Sequence, residues 1–341
     1  MVNYILKDEN AVYYECGFSC DNELFLKLGN EAFFITDPRY TTQAKEEVKN
    51  AEVIEAKRDL YIEAKKIIRA SKIKKIYYDP ADFKVSEFNR LKQSLKITFK
   101  AAANFSQKKR MIKSDDEISY LKKAVLLGAD AFDEFAKYLQ SEGELKSELE
   151  INFEALKALS YSGRYPVSFE PITAIDENAA KPHATVSEKT LELNSLLLVD
   201  AGMKYKRYCS DRTRCTSFNS DISFKKEQKF SDKKIQKVYD TVLKAQEASI
   251  KASKVGVKTS DIDKAGREVI QKAGYGEFFV HSTGHGVGLD IHELPVVSQK
   301  SSIILQENMV FTIEPGIYLP DEFGIRIEDM VVVTSNGVDI L

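Results

Sequence analysis

Three apolar runs in the second half of the chain each lead into a carboxylate, and this pairing restricts the possible folds more than any other feature. SLLLVDAG (195–202) carries Asp200, MVFTIEPGIYL (309–319) carries Glu314, and GIRIEDMVVV (324–333) carries Glu328. Runs this rich in Leu, Ile and Val read as buried strands. An acid on such a strand is costly to ionise unless a cation meets it. A further acid, Asp211, lies in the strand-like piece YKRYCSDRTRC (205–215). In the last run, alternation puts Arg326 and Glu328 on one strand face and Ile325 and Ile327 on the other.

Taken singly, each acid is explained by a turn cap or a buried salt bridge, with Arg212, Arg214 and Arg326 as available partners. Taken together, they carry more negative charge than a few arginines comfortably neutralise, whereas two divalent cations would balance four carboxylates without excess. Three of the chain's four histidines also cluster, in HSTGHGVGLDIHE (281–293). That stretch ends like the start of the zinc motif H-E-x-x-H, but Pro295 follows and the second histidine is missing. Oxygen ligands with one imidazole suit Mn²⁺, Co²⁺, Zn²⁺ or Fe²⁺, and a two-metal site can clamp an attacking water and a polarised carbonyl.

The remaining bulk properties narrow the partners. At 341 residues the chain is long enough for about two domains. Net charge is -2, from 50 basic and 52 acidic residues, which argues against nucleic acid or an anionic membrane as the main partner. No apolar run approaches the ~20 residues of a membrane span. The N-terminal stretch MVNYILKDENAVYYE lacks the apolar core of a signal peptide. Cys16, Cys20, Cys209 and Cys215 match neither a zinc nor a redox spacing, so free thiols and a cytoplasmic location are expected.

Along the chain, AVYYEC, ELFLKLG and EAFFIT read as strands, DLYIEAKKIIRASKI as a helix, KKIYYDP as a strand and KVSEFNRLKQSL as a helix. This order predicts an α/β domain over 1–110. A second domain, 111–341, opens where Ser114 and Glu117 form a capping box. The helix that follows carries Ile118, Leu121, Val125, Phe132, Ala136 and Leu139 on one stripe. A second helix is expected from about Glu148 to Leu159, then strands. From about Asp232 the same order recurs: a helix to about Lys254, another from Ser260 to Lys272, then strands. Helix–helix–strands twice over predicts a structural duplication.

Five separated segments, VDAG, SDRTR, HSTGHGVGLDIHELP, TIEPG and RIEDM, occur in an order that resembles the pita-bread metallopeptidases. That group holds Xaa-Pro aminopeptidases, prolidases (Xaa-Pro dipeptidases) and, more distantly, methionine aminopeptidases. CGFSCDNELFLKLGNEAFFITDPRY resembles the small N-terminal domain of the proline-specific and creatinase-like members, which methionine aminopeptidases lack. The resemblance implies an α/β (α+β) chain: a creatinase-like N-terminal domain, then a pita-bread domain with pseudo-twofold helix–helix–strand halves.

It also implies roles. The metal ligands would be Asp200, Asp211, His285, Glu314 and Glu328, holding two divalent ions, manganese first, with cobalt, zinc or iron as alternatives. Asp211 and Glu328 would bridge both ions, and a bridging hydroxide would attack the peptide. Glu314 would also serve as general base and then general acid. His281 and His292 would approach the substrate, as would His183 in AIDENAAKPHAT, preceded by Asn178. Arg326 would support the site. The implied reaction removes an N-terminal residue preceding proline, from peptides or dipeptides. That bond is a tertiary amide without an N–H, which peptidases gripping the N–H cannot use. A homodimer is implied. Alternatives are a creatinase-like hydrolase on the same fold and a non-catalytic binding module; the complete ligand set counts against both. Two positions depart from the family's habit, Asp176 where Gly is common and Cys215 where Thr is common. Glu293 is not expected to bind metal.

Overall fold

Residues 2–341 are described by a computed structural model, and they fall into two units, Met1–Arg110 and Met111–Leu341. The first unit runs β1 (Asn3–Leu6), α1 (Glu9–Cys16), β2 (Glu23–Leu28), β3 (Glu31–Thr36), α2 (Thr41–Glu47), β4 (Glu52–Glu55), α3 (Leu60–Ala70), β5 (Lys75–Tyr78), α4 (Val85–Lys92), β6 (Thr98–Ala101) and α5 (Phe105–Arg110). Its six strands form one mixed sheet in the order β4-β3-β2-β1-β5-β6. Alternation gives the sheet two apolar faces. Ile5, Leu24 and Leu26 pack under α3 with Ala64 and Ile68, while Leu6, Phe25 and Phe34 face Val12 and Cys16 of α1.

One expectation fails here. AVYYEC is not a strand but most of α1. Its Tyr, Val and Cys favour strands, yet local chemistry at both ends favours a helix. Asp8 accepts the Ala11 amide at 2.8 Å as N-cap, and Gly17, at φ 76°, closes the other end in the left-handed region. The first strand is instead NYIL, just upstream.

The second unit opens with α6 (Asp115–Glu142) and α7 (Glu148–Leu159), followed by β7 (Ile172–Ile175), β8 (Leu196–Ala201), β9 (Lys204–Tyr205), β10 (Tyr208–Cys209) and β11 (Arg212–Ser217). Then come α8 (Lys233–Ala252), α9 (Thr259–Lys272), β12 (Gly284–Gly286), β13 (Glu293–Val297), β14 (Val310–Ile313), β15 (Gly316–Leu319), β16 (Phe323–Arg326), β17 (Asp329–Thr334) and β18 (Gly337–Ile340). Two helices then strands thus occurs twice. The Ser114–Glu117 box is present, with Ser114 Oγ accepting the Glu117 amide at 3.3 Å and Glu117 accepting the Ser114 amide at 2.8 Å. Ser147 and Glu150 form a second box at the start of α7.

The strands form a sheet β11-β8-β7, a sheet β13-β12-β14-β17-β18 and two hairpins, β9-β10 and β15-β16. α6 and α7 bury Phe132, Phe135, Leu139 and Ile151 against Leu197 and Val199 of β8. α8 buries Val238, Tyr239 and Val242 against Ile325 and Ile327. GIRIEDMVVV is therefore not one strand: β16 ends at Arg326 and β17 begins at Asp329. Glu328 sits at the break. All four cysteines are buried free thiols. Among the described residues, no helix is long and apolar enough to cross a membrane.

Candidate active site and metal centre

Strand register brings the acids together. In β8–β11, Asp200 pairs with Thr213, two residues after Asp211. In β14–β17, Ile313 pairs with Asp329, so Glu314 and Glu328 lie just past the same end of the ladder. The Glu328 amide donates to the Thr213 carbonyl at 3.1 Å, which ties the two sheets together at this point. The Glu314 amide donates to the Thr283 carbonyl at 2.8 Å and so anchors the segment leading to His285. Glycine is required beside it: a Cβ on Gly284 would sit 1.9 Å from the Thr312 carbonyl oxygen.

Asp200, Asp211, His285, Glu314 and Glu328 line one cavity of about 590 Å³. His183, His281, His292 and Arg326 line it too, so every site residue singled out from the sequence reaches the same space. His285 Nε2 lies 3.5 Å from Asp211 Oδ2 and 3.4 Å from Glu314 Oε1. Ligand atoms of Asp211, His285 and Glu328 all fall within 4.8 Å of one another. Glu293 makes a buried ion pair with Lys113.

The electrostatics of this centre are unbalanced. Among the described residues, Arg326 is the one buried arginine that bonds a carboxylate of the centre, with Nη2 on Asp200 Oδ2 at 2.7 Å. Burial pushes Asp211 well above the usual carboxylate range, and Glu328, Asp200 and Glu314 add to the shift. Glu328 is raised in the same way, by burial first and then by Glu314 and Asp200. Burial also carries Glu314 to about 7, against the pull of Arg326. Two buried oxygens, Asp200 Oδ1 and Glu328 Oε1, have no hydrogen-bond partner among the described residues. His285 Nδ1 is 3.1 Å from the Gly286 carbonyl, which can only accept, so Nδ1 carries the proton and Nε2 presents a lone pair to the acids. A lone pair among carboxylates is repulsive, and orphaned oxygens beside it are costly. A divalent cation removes both penalties, and this donor set fits one.

Around the acids, hydrogen bonds fix the other groups. Arg326 also donates to Thr213 Oγ1 at 3.0 Å, to the Pro182 carbonyl at 3.1 Å and to the Tyr318 hydroxyl at 2.8 Å. It thereby joins Asp200 to the segment bearing His183. Tyr318 lies 2.9 Å from His281 Nε2, while His281 Nδ1 donates to the Ser282 carbonyl at 2.7 Å. Both nitrogens of His281 are thus engaged, and a hydrogen bond to substrate requires exchange of the Tyr318 contact. Burial, with Arg326 nearby, lowers His281 to about 4, so the ring is neutral. His292 and His183 are exposed at the cavity surface, and the His292 ring stands 4.4 Å from that of His285.

Several supporting residues escaped the sequence reading. Glu148 is fully buried and accepts from the Ile175 amide at 2.7 Å, Asn178 Nδ2 at 2.7 Å and the Ser187 amide at 2.8 Å. It holds the loop that carries His183. Arg267 grips Asp263 and donates to the Phe279 and His281 carbonyls at 2.9 and 2.8 Å, fixing the start of the histidine-rich stretch from α9. Tyr318 was visible only as one aromatic in an apolar run. Asp176, unusual for the family it resembles, has φ 49° and accepts the Leu196 amide at 2.8 Å. The left-handed backbone explains why glycine suits that position, and the hydrogen bond explains how Asp is tolerated.

Comparison with known proteins accords with this geometry. Residues 119–335 match the family model "Metallopeptidase family M24", and residues 3–112 match "Creatinase/Prolidase N-terminal domain". An uncharacterised peptidase of Bacillus subtilis, YqhT, is 33% identical over 98% of this chain and 91% of its own length. A solved Xaa-Pro dipeptidase from Bacillus anthracis superposes with a TM-score of 0.90 at 32% identity, covering 99% of this chain and 92% of that one. An X-Pro aminopeptidase from Thermotoga maritima superposes with a TM-score of 0.87 at 35% identity, covering 99% and 94%.

Proposed function

This chain belongs to metallopeptidase family M24, and from that premise we propose that it is a two-metal exopeptidase releasing an N-terminal residue that precedes proline. The observation that carries the proposal is the convergence of four carboxylates and the His285 lone pair, with two orphaned buried oxygens, in one cavity. The solved relatives named as Xaa-Pro dipeptidase and X-Pro aminopeptidase support the proline preference.

In this reading Asp200, Asp211, His285, Glu314 and Glu328 hold two divalent ions, manganese first among the candidates. Bound there, such ions lower the pKa of a water towards ~7 and polarise the scissile carbonyl. The rest is work for the protein's own groups. Hydrolysis places a hydroxyl on the acyl carbon and needs one proton on the departing proline nitrogen, which has none of its own. Glu314 takes a proton from the water and returns it to that nitrogen. His292 and His183 hydrogen-bond the substrate from the cavity surface. Arg326 keeps Asp200 oriented and holds the Pro182 carbonyl, so the two sides of the cavity stay in register. Phe169, Ile172, Ile291 and Val296 give the wall an apolar part suited to a pyrrolidine ring.

The test is a metal add-back. The purified chain is stripped with chelator, reloaded with Mn²⁺, Co²⁺ or Zn²⁺, and offered an Xaa-Pro dipeptide and an Xaa-Pro-Yaa tripeptide. Cleavage of the dipeptide alone makes it a prolidase, and release of the first residue from the tripeptide makes it an aminopeptidase. No metal-dependent release from either substrate sinks the proposal.

A further inference from the structure

β11 has a second face. Thr213 points to the acidic centre, where it bonds Glu328, so alternation sends Arg212 and Arg214 to the opposite side of the strand. On that side a separate cavity of about 590 Å³ opens between α6, the 225–227 loop, β17 and β18. Five cationic side chains line it: Lys122, Arg212, Arg214, Lys225 and Lys226. Two of them share one carboxylate, that of Asp329, which accepts from Arg214 at 2.6 Å and pairs with Lys226. The other acids of the wall are Asp211, already part of the acidic centre, the exposed Glu227 and the terminal carboxyl of Leu341.

Arg212 is the unusual member. Its side chain is half-buried and, among the described residues, makes no hydrogen bond or ion pair, with Asp329 and Asp133 acting on it only from a distance; its Nε is buried without an acceptor, and its guanidinium lies 5.4 Å from the Phe132 ring centre. A half-buried guanidinium with no hydrogen-bonded anion leaves its donors open, and a carboxylate matches its planar fork with two parallel hydrogen bonds. The remaining wall is apolar, formed by Val125, Leu126, Met330 and Ile340, with Leu126 and Ile340 exposed. A bare inorganic anion would leave this wall unused.

We propose that this cavity binds a small organic carboxylate, with its oxygens on Arg212 and its apolar body against Val125, Leu126 and Met330. The site is distinct from the peptidase centre and stands whether or not the peptidase proposal holds.

Calorimetric titration of the full, metal-loaded chain tests it, with hexanoate, hexanamide and inorganic phosphate as probes. Hexanoate is expected to saturate one site, and hexanamide to bind about tenfold more weakly or not at all. Arg212→Met should weaken hexanoate about tenfold or more, and Lys225→Ala by a smaller factor of about three. Lys225 is exposed, so its variant carries the test if Arg212→Met does not fold. Hexanoate binding should persist after the metals are chelated, which separates it from carboxylate binding at the metal centre. Hexanoate binding that is lost on chelation, or unchanged in the folded variants, overturns the proposal. So does saturable phosphate binding without hexanoate binding.

Discussion

Glu328 and Asp329 are chain neighbours, both nearly fully buried, yet their carboxyls are driven in opposite directions. Glu328 turns to the side where Asp211, Glu314 and Asp200 crowd around Arg326, and burial with those acids raises it. Asp329 turns to the other side. There burial also works to raise it, but Arg214 and Lys226 more than offset that and pull it down. The two faces of β11 repeat the contrast, with too few cations in front and, behind, one arginine side chain, Arg212, that no acid bonds among the described residues. The difference teaches that buried charge alone says little. What matters is whether the partner is in the chain. Asp329 has its partners and is structural. The acids in front lack theirs, and a group from outside must supply the balance.

The largest way to break this contrast is to remove one acid from the front face. Glu314→Ala is expected to lower kcat by roughly 10²–10⁴-fold on an Xaa-Pro substrate and to weaken one metal, read by steady-state kinetics and metal content. Full activity in that variant would remove Glu314 from its proposed role. Neutralising Asp329 instead should cost stability without this loss of metal.

A second expectation concerns the metal-free protein and pH. Glu314 is raised from 4.5 to about 7 in the fold, so the folded state holds its proton more tightly than the unfolded chain. That contribution to stability is fully present below pH 4.5 and is lost as pH rises towards about 7. The loss is on the order of 3 kcal/mol. Denaturant unfolding across this range should show the decline without metal and a much flatter profile once divalent ions are restored. Equal slopes with and without metal would mean that the front-face acids are not mutually exposed in the way described.

The smallest effect probes the hydrogen-bond chain at the edge of the centre. Tyr318→Phe removes the hydroxyl between Arg326 and His281 and leaves the ring in place. A fall in kcat/KM of about tenfold is expected, with little change in metal content. If metal content falls in proportion to activity, Tyr318 acts on the acids through Arg326 and not on the substrate side through His281.

Much of this is legible in the sequence. The apolar runs around Asp200, Glu314 and Glu328 are strands or strand ends, because Leu, Ile and Val in short runs bury best in sheets. The Ser114–Glu117 box marks a helix start because its signal is wholly local. AVYYEC misled because its residues prefer strands while Asp8 and Gly17, outside it, set a helix. Glu148, Arg267 and Tyr318 were illegible for a different reason. Each acts on a segment far away in sequence, and nothing around Glu148 announces that Ile175 and Ser187 will be its partners.

The sequence by itself determined the residue types and their order: four acids, three of them in apolar runs, a histidine placed among glycines, and arginines spaced two apart at 212 and 214. Alternation then obliges neighbouring side chains to part company. Only the tertiary structure decided which acids meet and which are already neutralised. Strand register sets Glu314 beside Glu328, and the break between β16 and β17 separates Glu328 from Asp329. The cost of a buried charge depends on what lies within a few ångströms of it, and that neighbourhood is assembled by packing from distant parts of the chain.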